Sequence, residues 1–245
     1  MGESMAKAFA TSRPNYPAHR YLEGACDYLQ PTFLEHFVGR SFRSIFELGS
    51  RDGRDALALH RHFGAHVHAF ECNPYALQLC RDNLATASGV TLVPLAVWDR
   101  SEKIPFFPVV ETYVETGDGE SVTPTRIGAS SCFEADPTYH ERYVQSRIEV
   151  QAVRVDDYRR EQGLGPVDLV CLDLQGAALQ ALKGMPETLE SCGFVLAELE
   201  RRPLYQGQAL LPEVTDYLAR FGFKRVAEVE RDPWFGDYLF ARSDP

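Results

Sequence analysis

The stretch Ser44-Ile-Phe-Glu-Leu-Gly-Ser-Arg-Asp-Gly-Arg-Asp55 constrains this chain more than any other. A short apolar run breaks there into glycines and charge, which reads as a strand, a tight turn and a helix start. Glu47, Gly49 and Gly53 form E-x-G-x-x-x-G. Gly49 lets the backbone turn and approach a ligand, and Gly53 opens a helix whose free N–H groups face that ligand. About twenty residues on, a second apolar strand ends in Phe70-Glu71-Cys72-Asn73-Pro74, where an acidic side chain can accept both hydroxyls of a ribose. Together the two strand ends read as a site for a nucleoside cofactor.

The chain continues in the same rhythm: strand Ser44–Leu48, helix Gly53–Phe63, strand His66–Phe70, helix Pro74–Ala85 and strand Val90–Val97. Apolar strands alternating with amphipathic helices imply parallel strands joined by right-handed crossovers, with ligands beyond their carboxyl ends. Glu47–Gly53, Glu71–Asn73 and Ala96–Asp99 would then converge on one pocket. Before this half (44–99), residues 1–43 read as a leading helical layer with helices over Ala18–Leu29 and Thr32–Val38. Tyr21, Leu22, Ala25, Cys26 and Leu29 supply its apolar face, read as core packing, with a cofactor lid or a homodimer contact as the other reading.

Over 100–155 the rhythm is lost. Lys103–Val110 is short and β-like, Glu111–Ser131 is rich in Gly, Thr and Ser, and Arg147–Val155 alternates as a strand. A structured insertion over the pocket mouth, carrying substrate selection, is the expectation. The α/β pattern resumes in 156–245, with strands Pro166–Asp173 and Gly193–Leu199, helices Ala177–Lys183 and Leu211–Phe221, and final strands Lys224–Glu230 and Trp234–Ala241. The whole of 1–245 reads as a single α/β domain with about seven core strands, mostly parallel, the last two open to an antiparallel hairpin.

The formal net charge of -10, with basic residues dispersed, argues against nucleic acid as a partner. No stretch is apolar enough for a membrane span, and no signal peptide is evident, so a cytoplasmic location is expected. The six cysteines lack a C-x-x-C pair and read as reduced structural thiols. His60, His62, His66 and His68 invite a metal reading, but no cysteine or carboxylate at ligand spacing completes them, and no metal is assigned.

A nicotinamide fold carries G-x-G-x-x-G, and here only one glycine stands where two should be close together. E-x-G-x-x-x-G resembles instead the first motif of class I S-adenosylmethionine-dependent methyltransferases. Phe46-Glu-Leu-Gly-Ser-Arg-Asp-Gly-Arg-Asp55, Ala69-Phe-Glu-Cys-Asn-Pro74, Gly128-Ala-Ser-Ser131, Val155-Asp-Asp157, Leu172-Asp-Leu-Gln-Gly-Ala177 with Leu182-Lys-Gly184, and Glu198 with Tyr205-Gln-Gly-Gln208 follow the order and spacing of the FkbM family of methyltransferases. The resemblance covers roughly residues 44–240. Many relatives show Lys-Ile-Asp-Val-Glu-Gly followed by a Glu; this chain has Cys171, Gln175 and Ala178 at the variable places, keeps Asp173 and Gly176, and is similar there to a branch with Asp-x-Gln-Gly.

The resemblance implies a Rossmann-like domain with helices on both faces that uses S-adenosylmethionine to methylate a hydroxyl of a sugar-containing or other small polar acceptor. It further implies that Gly49, Ser50, Arg51 and Gly53 line the amino-acid end of the cofactor, that Glu47 supports their loop, and that Glu71 holds the ribose. Cys72, Asn73, Ala96 and Val97 would complete the cofactor site. Asp173, ending an apolar strand at the pocket, is expected to orient the acceptor hydroxyl, take its proton or steady the cofactor's ammonium group. Its duller reading is a helix N-cap. His140 is a candidate general base because its ordinary pKa lies near neutrality, and Glu198 is the other carboxylate expected at the acceptor. Ser130, Ser131, Gln175 and Tyr205 are expected to contact the acceptor. Two rival readings remain at this point: a non-catalytic nucleoside-binding module acting through a partner, and a nicotinamide-dependent oxidoreductase.

Overall fold

The computed structural model describes residues 26–116, 119–123, 126–139 and 141–242. The chain enters through a 3-10 turn, Asp27–Leu29, a single turn of helix α1 (Pro31–Leu34) and a second 3-10 turn, Glu35–Phe37. Most of the helix expected over Ala18–Leu29 lies outside the described residues. The helix expected over Thr32–Val38 is cut into two pieces: a 3-10 turn tightens its end, and Gly39 at φ +76° turns the chain away. Phe33 and Phe37 are buried, and Phe37 meets Phe42 and Phe194 edge-on at 5.2 and 5.0 Å.

From Ser44 the expected alternation forms as β1 (Ser44–Leu48), α2 (Arg54–Phe63), β2 (His66–Phe70), α3 (Pro74–Leu84) and β3 (Val90–Val93). The strand expected to run on to Val97 stops at Pro94, which has no N–H to continue the ladder. Leu95 N–H turns back to the Val93 carbonyl at 2.8 Å. Ala96–Val97 (β4) then leaves the sheet and pairs in parallel with Ala152 and Val153.

The insertion contains β5 (Lys103–Phe106), β6 (Val109–Thr116), β7 (Gly119–Thr123), a 3-10 turn at Ile127–Ala129, β8 (Glu141–Gln145) and β9 (Ile148–Val153). These form two three-stranded sheets, β4-β9-β5 and β7-β6-β8. The Gly-, Thr- and Ser-rich stretch is thus largely a β-hairpin, consistent with its threonines and valines.

The second half holds α4 (Val155–Glu161), β10 (Leu169–Leu172), α5 (Ala178–Lys183), α6 (Pro186–Ser191), β11 (Phe194–Glu200), α7 (Leu211–Ala219), β12 (Phe223–Asp232) and β13 (Phe235–Arg242). The sequence reading does not anticipate α4 or α6, each too short to show a helical period. They depend on one another: buried Asp156 of α4 accepts hydrogen bonds from the N–H groups of Glu187 and Thr188 at 2.8 and 2.9 Å and from Thr188 Oγ1 at 2.6 Å. The free donors of the first turn of α6 are therefore capped by a carboxylate from another helix.

The main sheet has seven strands in the order β12-β13-β11-β10-β1-β2-β3. β3, β2, β1, β10 and β11 are parallel, and β13 is antiparallel to both of its neighbours. This is the class I methyltransferase architecture expected from the motifs, with the final hairpin that makes the sheet mixed. Alternating side chains bury both faces, as a parallel sheet covered on two sides requires. Phe46, Leu48, Val170, Leu172 and Val195 pack with Leu182, Val214 and Leu218 on one face; Ile45, Val67, Leu169 and Leu196 pack with Phe33, Ala56 and Leu59 on the other. The carboxyl ends of β1, β2, β10 and β11 lie side by side, where the sequence placed the site.

Candidate functional site: a cleft across four strand ends

The glycine loop after β1 is held by backbone geometry. Gly49 and Ser50 both donate their N–H groups to the Phe70 carbonyl, at 3.0 and 2.9 Å, which binds the loop to the end of β2. Gly49 has φ +92°, and a Cβ there would stand 1.9 Å from the Asp173 carbonyl oxygen, so only glycine lets this loop pass the end of β10. Gly53, at φ +79°, caps α2, and a Cβ there would meet Leu84 at 2.9 Å. Beneath the loop, Glu47 is only 1% exposed and accepts a hydrogen bond from Ser50 Oγ. Burial, reinforced by nearby Asp55, holds the Glu47 carboxyl well above the usual carboxylate range.

Glu71 closes the end of β2 and is 8% exposed. Its Oε2 accepts the Arg51 N–H at 2.7 Å and its Oε1 accepts the Asn73 N–H at 2.6 Å, so one carboxylate fixes both loops beside it. Burial raises its pKa to about 7, against the pull of the backbone N–H groups of Asn73, Arg51 and Cys72. Asn73 in turn caps α3 through Tyr75 N–H at 3.1 Å and donates to Ser130 Oγ at 3.1 Å, which joins the β2 end to the insertion.

These loops bound a cleft of about 630 Å³, part of it open to solvent. Gly49, Arg51, Glu71, Cys72, Asn73, Ala96, Val97, Ser130, Asp173 and Gln175 line it, as the sequence reading placed them. Glu47, Ser50 and Gly53 stand behind the loop and shape it. The sequence reading missed the apolar part of the wall: Phe70, Ala76, Leu95, Phe106, Ile127, Leu174 and Ala177, with Gly128 and Cys132. Gly128 had a signal, being part of Gly128-Ala-Ser-Ser131, whereas the apolar residues look like any other core positions.

Apolar walls and a few fixed polar groups suit a nucleoside ligand. Each Glu71 oxygen uses one acceptor position on backbone, and an ionised carboxylate has about four, which leaves room for a pair of hydroxyls. The residues present therefore fit S-adenosylmethionine.

Asp173 lines the cleft, and Glu198, which is not among the lining residues, is next to it because Leu172 is in register with Ala197 on the adjacent strand. Gln175 lies between them: its Nε2 donates to Asp173 Oδ1 at 2.6 Å and to Glu198 Oε1 at 2.8 Å. Burial raises the pKa of Asp173. Burial, and then the charges of Asp173, Asp237 and Glu200, lift that of Glu198 well above the carboxylate range. Tyr205 Oη lies 2.7 Å from Gln175 Oε1 and 2.9 Å from the Ala129 carbonyl. Ser131 Oγ donates to the Gln175 carbonyl at 2.6 Å and accepts the Phe133 N–H.

Two expectations are corrected by these contacts. Tyr205 is fully buried and Ser131 is 1% exposed, and their hydroxyls are engaged within the protein. They build the wall between insertion and strand ends and do not present themselves to an acceptor. Ser130 does line the cleft, but its Oγ donates to the Ile127 carbonyl and accepts from Asn73 Nδ2 and Val109 N–H, a structural role as well. Asp173 does not cap a helix, since Ala177 stands at the start of α5. His140 lies outside the described residues.

Three of the histidines considered for a metal have protein partners: His60 Nδ1 with the Ala65 carbonyl, His66 Nε2 with Thr91 Oγ1, and His68 Nδ1 with Tyr158 Oη. All six cysteines are unpaired.

The model of the methyltransferase FkbM domain matches residues 47–225 of this chain, the span that contains both ends of the cleft. The chain belongs to the FkbM methyltransferase family. Among its FkbM-type relatives, 2-O-methyltransferase NoeI of Sinorhizobium fredii (strain NBRC 101917 / NGR234) is 31% identical over 192 residues, 76% of this chain and 74% of NoeI. The O-methyl transfer from S-adenosylmethionine expected of an FkbM protein rests on this membership and on the kinship with NoeI. Solved structures with a similar fold include precorrin-6y C5,15-methyltransferase of Geobacter metallireducens GS-15, with a TM-score of 0.46 and 13% identity over 86% of this chain and 85% of that one. Another is the N-terminal domain of EvdMO1 with SAH bound, with a TM-score of 0.44 and 14% identity over 86% of this chain and 78% of that one. No helix among the described residues is long and apolar enough to cross a membrane.

Proposed function

We propose that this FkbM methyltransferase methylates a hydroxyl of a sugar-containing or other small polar acceptor, with the methyl donor held between Glu71 and Asp173 and the acceptor at the Asp173–Glu198 end. The observation that carries the reading is Glu71, a buried carboxylate at the tip of β2. It is fixed by two backbone N–H groups beside the Gly49 loop and faces an apolar cleft. The oxygen acceptor is supported by the family and by NoeI, whose name makes it a 2-O-methyltransferase.

When bound, the sulfonium of S-adenosylmethionine supplies an activated methyl group. The protein's task is then alignment and exclusion of water. The Gly49 loop and Glu71 fix one end of the cleft, and the apolar wall from Phe70 to Ala177 keeps it dry. One ionised carboxylate of the Asp173–Glu198 pair takes the acceptor hydroxyl's single proton as the oxygen attacks. Burial raises the pKa of both, so the base is formed as the pair gives up its protons with rising pH, and the ionised member is then a stronger base than a surface carboxylate.

Calorimetry with S-adenosylmethionine, S-adenosylhomocysteine and NAD tests the donor; binding of the first two and none of the third is expected. Incubation with a pool of glycans and small hydroxylated metabolites should release S-adenosylhomocysteine and add one methyl to a component. Binding without any turnover across such pools would favour the non-catalytic module instead.

A further inference from the structure

Gln175 occupies a position that the sequence suggested for acceptor contact, yet its side chain is already engaged. The amide nitrogen has two protons, and they go to Asp173 and to Glu198. The amide oxygen faces the Tyr205 hydroxyl, and the backbone carbonyl takes the Ser131 hydroxyl. This amide orientation gives both carboxylates a donor, and it leaves the amide oxygen to accept from Tyr205, whose hydroxyl also reaches the Ala129 carbonyl. The residue is also held at φ +49°, a backbone conformation uncommon for a non-glycine side chain and concentrated at functional sites. A conformation of that kind persists only when its surroundings over-determine it, as four contacts from four segments do here.

We infer that Gln175 is a positioning residue for methyl transfer: its amide clamps Asp173 and Glu198 as one unit at the acceptor end of the cleft, and Tyr205 and Ser131 lock that clamp to the insertion. The inference rests on the proposed function for its catalytic meaning, but the clamp itself can be tested without acceptor or cofactor. Two adjacent carboxylates repel, so their protons leave in separate steps that belong to the pair. Hydrogen bonds donated to the charged form draw those steps down. The charged and titratable groups that act on the pair are Glu200 on the strand of Glu198, Asp237 on β13, Arg231 on β12, Asp27 and Tyr28 in the entry turn, Arg51 in the glycine loop, Glu71 at the end of β2, and Tyr205. Burial and acidic neighbours push the pair's titration up, and the amide of Gln175 opposes them.

The full-length protein, labelled with 13C at its Asp and Glu carboxyl carbons, should be titrated by NMR as wild type, Gln175→Glu and Gln175→Ala. Asp173→Asn and Glu198→Gln proteins assign the two signals. Loss of the amide donors should raise the midpoints of both carboxyls by about one pH unit or more. Gln175→Glu keeps the shape and adds a third acid, so its shift should be the larger. Where turnover is measurable, kcat should fall about 100-fold, with the acid limb of its pH profile moved to higher pH and S-adenosylhomocysteine affinity unchanged. Tyr205→Phe removes only the lock and should cost less than Gln175→Glu. Carboxyl midpoints that stay in place in a folded Gln175→Glu protein would overturn the clamp, and a loss of thermal stability with unmoved midpoints would assign Gln175 a merely structural role. If the wild type fails to bind S-adenosylhomocysteine, the proposed function falls while the titration still decides the clamp.

Discussion

The cofactor end of the cleft is made by residues close in sequence and held mostly by main chain. Glu71 reaches Arg51 and Asn73 across 20 and 2 residues, and Gly49 and Ser50 lean on the Phe70 carbonyl. The acceptor end is made by side chains from distant segments: Ser131 reaches Gln175 across 44 residues, Tyr205 reaches Gln175 across 30, and Tyr205 reaches Ala129 across 76. The first construction tolerates almost no change in backbone but asks little of long-range order. The second depends on several segments arriving together.

If the two ends are as separable as their construction suggests, variants should sort by which quantity they change. Glu198→Gln removes a proton acceptor and should lower kcat by roughly 10²–10⁴-fold, with S-adenosylhomocysteine affinity in calorimetry close to wild type. An intact kcat would move the base elsewhere. Gly49→Ala should abolish measurable cofactor binding, because its Cβ would fall 1.9 Å from the Asp173 carbonyl oxygen. The strain and the clash should also cost the fold about 3 kcal/mol, read by denaturant unfolding. Since Gly49 touches the strand that carries Asp173, this variant tests the point where the two ends meet.

Glu71→Ala should weaken S-adenosylhomocysteine by roughly 10- to 100-fold, the loss expected for hydrogen bonds to a charged acceptor, and leave the acceptor end alone. The smallest effect is one of pH. The Glu71 carboxyl is raised from 4.5 to about 7 in the folded protein, so the native state holds its proton more tightly than the unfolded chain. Its contribution to stability is therefore greatest below pH 4.5 and is lost as pH rises toward 7, by at most about 3 kcal/mol. Cofactor affinity runs the other way: the ionised form accepts ribose hydroxyls, so binding should tighten about tenfold from pH 6 to 8. Glu71→Gln should flatten both trends, and an unchanged pH dependence in that variant would remove Glu71 as their source.

The contrast also explains what could be read from the sequence. Glu47, Gly49, Gly53 and Glu71 were legible because their roles depend on local turns and on spacing along one strand–helix–strand unit. Val155-Asp-Asp157 was recognisable as a pattern, but its physical reason was not: Asp156 caps α6, whose Thr188 lies 32 residues further on. Ser131 and Tyr205 were expected to contact the acceptor and are instead buried behind the cleft wall, because nothing in a hydroxyl's identity tells whether it faces a ligand or a neighbouring carbonyl. Pro94 was a visible break in a strand that the apolar pattern alone carried on to Val97. The insertion hid its hairpin because polar β-strands without a buried face resemble loops in composition.

That break at Pro94 has a further consequence. By leaving the main sheet, Ala96–Val97 meets Ala152–Val153, so the chain enters and leaves the insertion through one short parallel ladder. That ladder is the neck of the insertion, and its body is stitched to the strand ends at further points, Ser130 to Asn73, Ser131 to Gln175 and Ala129 to Tyr205. An insertion that grows or shrinks between those stitches can do so without disturbing the seven-stranded floor, whereas one exchanged whole must bring the same anchors with it.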